Sequence, residues 1–312
     1  LNGISLLPFR GPGFQVPGGR MQEEQRREGG VNEKRRGFPP MLSRLLEEQA
    51  PWLPFVLFWP VLIAIAGAEM WRPLYVGRSE PKSRIPVNVG FGLINAGLAA
   101  LLPLSTVLPA QWAAKHHAGL LNLLGAPLIV GVLTTVVIRS LATYGIHRLS
   151  HSVPLLWRIH RVHHVDTALD LSTGLRNHPL ELAIVAPLLA AATIAFGLDP
   201  RTLMVYEAVA LPFALWTHAN VRLRPGVDRT LRRLLVTPAM HHVHHSSLRA
   251  ETDSNYGDVL SVWDRLFGTY RSLDEPALRA VRFGLGEAHD RRAAHLGAQL
   301  ASPLGGEPSE AR

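Results

Sequence analysis

The chain has no cysteine among its 312 residues. That excludes disulfide scaffolds, thiolate zinc sites, iron–sulfur clusters and cysteine nucleophiles. Charge is scarce as well: Asp, Glu, Lys and Arg make up 18% of the chain, against roughly 25% in an ordinary soluble domain. Lysine is limited to Lys34, Lys82 and Lys115. No Gly-x-Gly-x-x-Gly sequence occurs, which leaves the chain without the dinucleotide-binding fingerprint. What replaces charge is apolar: hydrophobic residues reach 47% and the mean hydropathy is slightly positive. A net charge of +8 on so apolar a chain fits loops facing an anionic membrane surface, and no nucleic-acid partner is expected.

Residues 1–40 are rich in Gly, Pro, Arg and Glu with no apolar periodicity, and are expected to be unstructured or non-native. The chain opens on Leu1, and Met41 is an expected start because it begins an amphipathic lead-in, MLSRLLEEQAPW. Windows free of charge then fall at 49–68, 85–114, 116–138 and 182–198, followed by a weaker apolar stretch at 202–217 that holds Glu207. Roughly 20 residues of helix cross the hydrocarbon core. The expectation is an all-α integral membrane protein with about four to five apolar helices. The last two form a tight hairpin through Leu198-Asp199-Pro200-Arg201. Residues 72–84 carry four basic residues and one acid, while 108–124 carry a single lysine. The positive-inside rule therefore puts 72–84, and with it the end of the third span, on the cytoplasmic side. The domain is read as 41–274, with 275–312 as a tail.

Histidine is the abundant chemistry. Fifteen are present, and eleven lie between His147 and His245. His147 and His151 stand at i and i+4. His160, His163 and His164 stand at i, i+3 and i+4, and His241, His244 and His245 repeat that spacing. On a helix each set shares one face, and His242 lies about a quarter-turn off the third. Eight imidazoles, with His178 and His218 as possible additions, exceed what one four- to six-coordinate ion takes and suit two ions. Asp166, Asp170, Glu181, Asp253 and Asp258 are nearby carboxylates that could fix the tautomers of ligating histidines. His116, His117, His289 and His295 are read as exposed or interfacial side chains.

The ordered motifs HRLSH (147–151), HRVHH (160–164), LSTGLRNHPLE (171–181), THAN (217–220), TPAMHHVHH (237–245), NYG (255–257) and WDRLFGTY (263–270) resemble those of the fatty acid hydroxylase and sterol desaturase superfamily. The resemblance spans roughly residues 130–272 and is especially close to the bacterial sterol desaturase-like branch. It implies a helical membrane fold whose cytoplasmic cap carries two irons and uses O2 to hydroxylate or desaturate a lipid. Carried over by position, the metal ligands are His147, His151, His160, His163, His164, His241, His244 and His245. His218 matches an additional histidine before the third box, and His178 sits in the HPLE element. Where some members have a second histidine four residues after the intermediate one, Arg222 stands here.

The resemblance further implies an external electron donor, a cytochrome b5-like protein or a ferredoxin, since the chain has no nucleotide fingerprint of its own. The Arg-rich stretch 222–233 fits either an acidic carrier or lipid headgroups. A membrane protein that binds or transports zinc is the alternative. Against it, the boxes lie beyond the span ends, whereas transporter ligands gather near mid-bilayer.

Overall fold

The computed structural model describes residues 53–76, 83–101, 107–286 and 293–305. The expected unstructured stretch 1–40 and the lead-in from Met41 fall outside them, as does His289. The described residues are helical and irregular. Their only β pairing is one isolated bridge, Leu235 to Leu260. In chain order the helices are α1 (Leu53–Trp71), α2 (Arg84–Leu101), α3 (Val107–Lys115), α4 (Leu128–Ser152), α5 (Pro154–His164), α6 (Pro179–Phe196), α7 (Pro200–His218), α8 (Pro225–Leu231), α9 (Pro238–His244), α10 (Val262–Leu266), α11 (Glu275–Ala280) and α12 (Leu296–Ala301). Single turns occur at Leu120–Leu123 and Arg249–Thr252, and a 3₁₀ turn at Leu171–Leu175.

Among the described residues two helices, α4 and α6, are long and apolar enough to cross a membrane. On α4, Ile129, Leu133 and Val137 form an exposed apolar stripe at i, i+4 and i+8, where a soluble helix would carry charge. Within the run 85–114 the described helices are α2, to Leu101, and α3, from Val107. The third run starts at Leu128 rather than 116, and it continues through Arg139 to Ser152. Pro127, in extended conformation, sets the start by capping the helix without an N–H to give it. Arg139 can remain inside because it is buried and pairs with Glu207 of α7.

The hairpin between α6 and α7 forms where the turn signals stand. Gly197 closes α6 in the left-handed region at φ 63°, as C-terminal glycines do. Asp199 then caps α7 by accepting from the N–H groups of Arg201 and Thr202, with Pro200 at the first helical position. Gly119 lies directly against this turn, and a Cβ there would come within 2.3 Å of the Gly197 nitrogen.

Proline also sets the junction that matters most for the histidines. Val153 is extended, as the residue before a proline prefers, and Pro154 opens α5. The chain thus turns between the first and second boxes. On the far side, α2 is bound to the 166–176 segment by a buried polar network. Arg84 pairs with Asp166 and Asp170, and Asn88 donates to Asp166 and to Ser172. Arg176 is wholly buried. It donates to the carbonyls of Val162 and Ala293 and to Asn88 Oδ1. Burial pushes it down to about 10, so it is still a cation at neutral pH.

Candidate metal centre

The three boxes ride on the end of α4, on α5 and on α9, and these converge. Two groups of buried histidines result: His147, His151, His160, His164 and His244 in one, and His163, His218, His241 and His245 in the other. Within each group, one ring nitrogen per residue lies within 4.8 Å of all the others. The groups adjoin, with the rings of His164 and His245 stacked at 4.5 Å between centroids.

Each HxxHH motif is divided between the two groups. The i,i+4 pairs stay together, since His160 and His164 share one group and His241 and His245 the other. The remaining member of each motif crosses over: His163 joins the four-histidine group and His244 the five-histidine group. Both α5 and α9 therefore serve both groups. His218, at the end of α7, completes the second.

His178 is not brought to either group. It caps α6 instead: its Nδ1 accepts from the Leu180 N–H at 3.1 Å, and its Nε2 donates to the Leu300 carbonyl at 3.1 Å. His242 is also outside, stacked on Tyr75 at 5.5 Å with Nε2 on the His218 carbonyl.

Tautomers follow from what each Nδ1 meets, because a carbonyl oxygen can only accept. Nδ1 of His147 donates to the Tyr256 carbonyl at 2.8 Å, and that of His163 to Arg176 at 3.2 Å. Nδ1 of His218 donates to Ala214 at 2.6 Å, and that of His244 to Ser254 at 2.7 Å. For His160 the holder is a carboxylate, Glu181 Oε1 at 2.9 Å. In the neutral ring the hydrogen is then on Nδ1, and Nε2 presents a bare lone pair to the interior. Of the five carboxylates considered, Glu181 holds a histidine directly, while Asp258 and Asp253 stand 3.6 Å from His147 and 3.5 Å from His151. Asp166 and Asp170 are taken by Arg84 instead.

These lone pairs face one another. Nε2 of His163 lies 2.9 Å from Nε2 of His218, and Nε2 of His241 lies 3.0 Å from the same atom. Nε2 of His160 and His164 are 3.2 Å apart. The Nε2 atoms of His147 and His244 are buried with no hydrogen-bond partner. Between His163 and His218 no proton is available, and two lone pairs at that distance repel. A shared cation removes the conflict: imidazole–metal bonds of about 2.0–2.1 Å put neighbouring ligand nitrogens about 3 Å apart. The residues present therefore fit a metal in each group. Burial first, and then the crowding of neighbouring imidazoles, holds His163, His164, His241, His244 and His245 well below the usual histidine range. Neutral imidazole is the form that binds metal.

The motif residues after the third box have a positioning role that their spacing alone did not disclose. Asp264 is fully buried, and it accepts from the N–H groups of Tyr256 and Gly257 and from the Thr269 hydroxyl. Asn255 donates to the carbonyls of Met240 and Arg271 and accepts from the Arg271 N–H. Together they fix the loop whose Tyr256 carbonyl orients His147. The Arg-rich stretch lines a groove of about 750 Å³ that includes Arg222, Arg229, Arg232, Arg233 and Arg265. Within it Arg232 pairs with Asp228 and Arg222 with Glu275.

The fatty acid hydroxylase family profile matches residues 132–269, the segment that holds both histidine groups. That match covers less than half of the chain and supports the fatty acid hydroxylase superfamily for this segment. Among similar proteins, human alkylglycerol monooxygenase is 33% identical over 132 residues, covering 42% of this chain and 28% of the relative. The ornithine lipid hydroxylase OlsE of Rhizobium tropici is 31% identical over 185 residues, covering 59% of this chain and 54% of the relative. A cholesterol 25-hydroxylase-like protein of Danio rerio is 30% identical over 125 residues, covering 39% and 48%. The chain thus spans about half or less of the length of these relatives. No solved structure matches it.

Proposed function

We propose that the chain is an integral-membrane di-iron oxidoreductase that uses O2 to hydroxylate a lipid. The observation that carries this reading is the pair of adjoining all-histidine groups, with bare Nε2 atoms that face one another about 3 Å apart. His147, His151, His160, His164 and His244 would hold one iron, and His163, His218, His241 and His245 the other. Two irons supply the reduction of O2 to an oxidant able to take hydrogen from an unactivated C–H bond, for which no side chain is competent. Imidazole also accommodates zinc, copper and nickel; iron is favoured because the named relatives are oxygenases of lipids. Those names also favour hydroxylation over desaturation.

The residues of this chain do the rest. Backbone carbonyls and Glu181 hold the Nδ1 protons of His147, His160, His163, His218 and His244 outward, which commits their Nε2 atoms to the interior. Burial of all nine histidines keeps bulk water from the reacting centre. Electrons would come from an external acidic carrier, and the arginine-lined groove has the complementary charge. The boxes would lie on the cytoplasmic side. The test is elemental analysis and Mössbauer spectroscopy of detergent-purified protein from iron-replete cells, followed by lipid profiling of cells that express it. About two coupled irons per chain and new hydroxylated lipids support the proposal. Stoichiometric zinc without iron overturns it in favour of zinc binding.

A further inference from the structure

The arginine groove holds more positive charge than the chain around it neutralises. Its wall has five arginines against three carboxylates, Asp228, Asp274 and Glu275. All three acids are committed. Asp228 pairs with Arg232, and Glu275 pairs with Arg222 and Arg279. Asp274 caps α11, accepting from the Ala277 N–H at 2.9 Å. Among the described residues this leaves Arg229, Arg233 and Arg265 in the groove with no carboxylate partner. Arg265 is held in place, its guanidinium 3.8 Å from the centroid of the Tyr270 ring and its Nη2 donating to the Arg232 carbonyl at 2.8 Å.

The groove is also amphipathic. Leu74, Val221 and Leu278 in its wall are buried, whereas Arg229, Arg233 and Arg265 are exposed, so apolar surface lies inside and cations at the rim. A volume of about 750 Å³ is within the range of about 300–1,000 Å³ of sites that enclose a small ligand. Guanidinium forks match phosphate oxygens, and a cleft of one sign of charge focuses its field on an anion.

Its position selects among phosphates. α1 ends at Trp71 and α7 at His218, and each chain reaches the groove wall three residues later, at Leu74 and Val221. Trp71 is 80% exposed, with the Arg72 guanidinium 6.0 Å from its ring, and exposed tryptophan at the end of an apolar helix marks the membrane–water interface. We infer that the groove binds the phosphate of an anionic phospholipid, held by Arg229 and Arg233, with the apolar inner wall against the rest of the lipid. The inference rests on the proposed membrane placement, not on the metal. An acidic electron carrier draws on the same arginines, so lipid and carrier compete for them.

The experiment titrates the metal-loaded full chain, in a non-ionic detergent, with dioleoylphosphatidylglycerol and counts bound lipid by native mass spectrometry. Dioleoylphosphatidylcholine carries the same phosphate beside a compensating cation, and glycerol phosphate has no acyl chains. The variants are Arg229→Gln and Arg233→Gln, singly and together, and Arg282→Gln, an exposed arginine outside the groove, as the control. Unchanged metal content shows that each variant is folded. One phosphatidylglycerol per chain is expected, bound more tightly than phosphatidylcholine and weakened about ten-fold or more by the double change but not by Arg282→Gln. Equal affinity for the two lipids, or binding indifferent to the double change, overturns the inference. Glycerol phosphate bound as tightly as the lipid overturns the membrane source in favour of a soluble phosphate ester. Poly-L-glutamate that binds through Arg229 and Arg233 where phosphatidylglycerol does not overturns it in favour of an acidic protein. Zinc-loaded protein that gives the expected pattern defeats the proposed chemistry and supports the lipid site.

Discussion

Asp264 touches no metal-binding histidine, yet its Oδ1 fixes the Tyr256 N–H at 2.8 Å while the carbonyl of Tyr256 fixes Nδ1 of His147 at the same distance. A carboxylate one residue removed thus sets the direction of a ligand. Replacing Asp264 by Ala strands three donors, the N–H groups of Tyr256 and Gly257 and the Thr269 hydroxyl, and each buried orphan costs about 1–3 kcal/mol. Asp264→Asn keeps the volume but supplies one acceptor oxygen in place of two. It is expected to weaken metal binding roughly 10- to 100-fold, as loss of outer partners does. Competition with a graded chelator measures this, and an unchanged affinity would remove the positioning role.

α4 brings histidines to the five-membered group alone, and α7 to the four-membered group alone. His147→Ala and His218→Ala are therefore expected to lower metal content by about half each, and the double variant to abolish it. Elemental analysis of the three purified proteins decides between separate centres and a single one that fails whenever any ligand is lost.

His178 has a different future under mutation. Its work is capping α6, which Asn can do and Ala cannot. His178→Asn should keep both metal and stability, whereas His178→Ala should keep metal but lose about 1 kcal/mol. Metal loss in His178→Asn would return this residue to the ligand set.

Arg139 and Glu207 test the apolar part of the bundle. Arg139 is 3% exposed at its side chain, while Glu207 is 36% exposed, so neutralising the second exposes the first to uncompensated burial. Glu207→Leu is expected to destabilise more than the double change Arg139→Leu with Glu207→Leu. Thermal unfolding in detergent gives the comparison, and strictly additive losses would show that the pair is not coupled.

Much of the centre was visible in one dimension. The i,i+4 pairs shared a group as helix geometry requires, and the hairpin formed where Leu198-Asp199-Pro200-Arg201 announced it. What spacing could not supply was direction. His163 is three residues from His160 and one from His164, and only the approach of α7 decides that it meets His218. The holders of the Nδ1 protons are mostly backbone carbonyls, which every residue has and no sequence marks. Arg139 ended an apolar window by its charge. Its partner is 68 residues away, so charge counting could not know that it was neutralised.

The break at Val153 and Pro154 fixes a phase. Each added residue turns a helix by about 100°, and α5 begins its count at that proline. A residue inserted between Pro154 and His160 would swing the second box away from the first, trading His160 for its apolar neighbour Ile159. The segment from Val153 to His160 therefore cannot vary in length, whereas the loop-rich stretch between His218 and Pro238 has slack to absorb change.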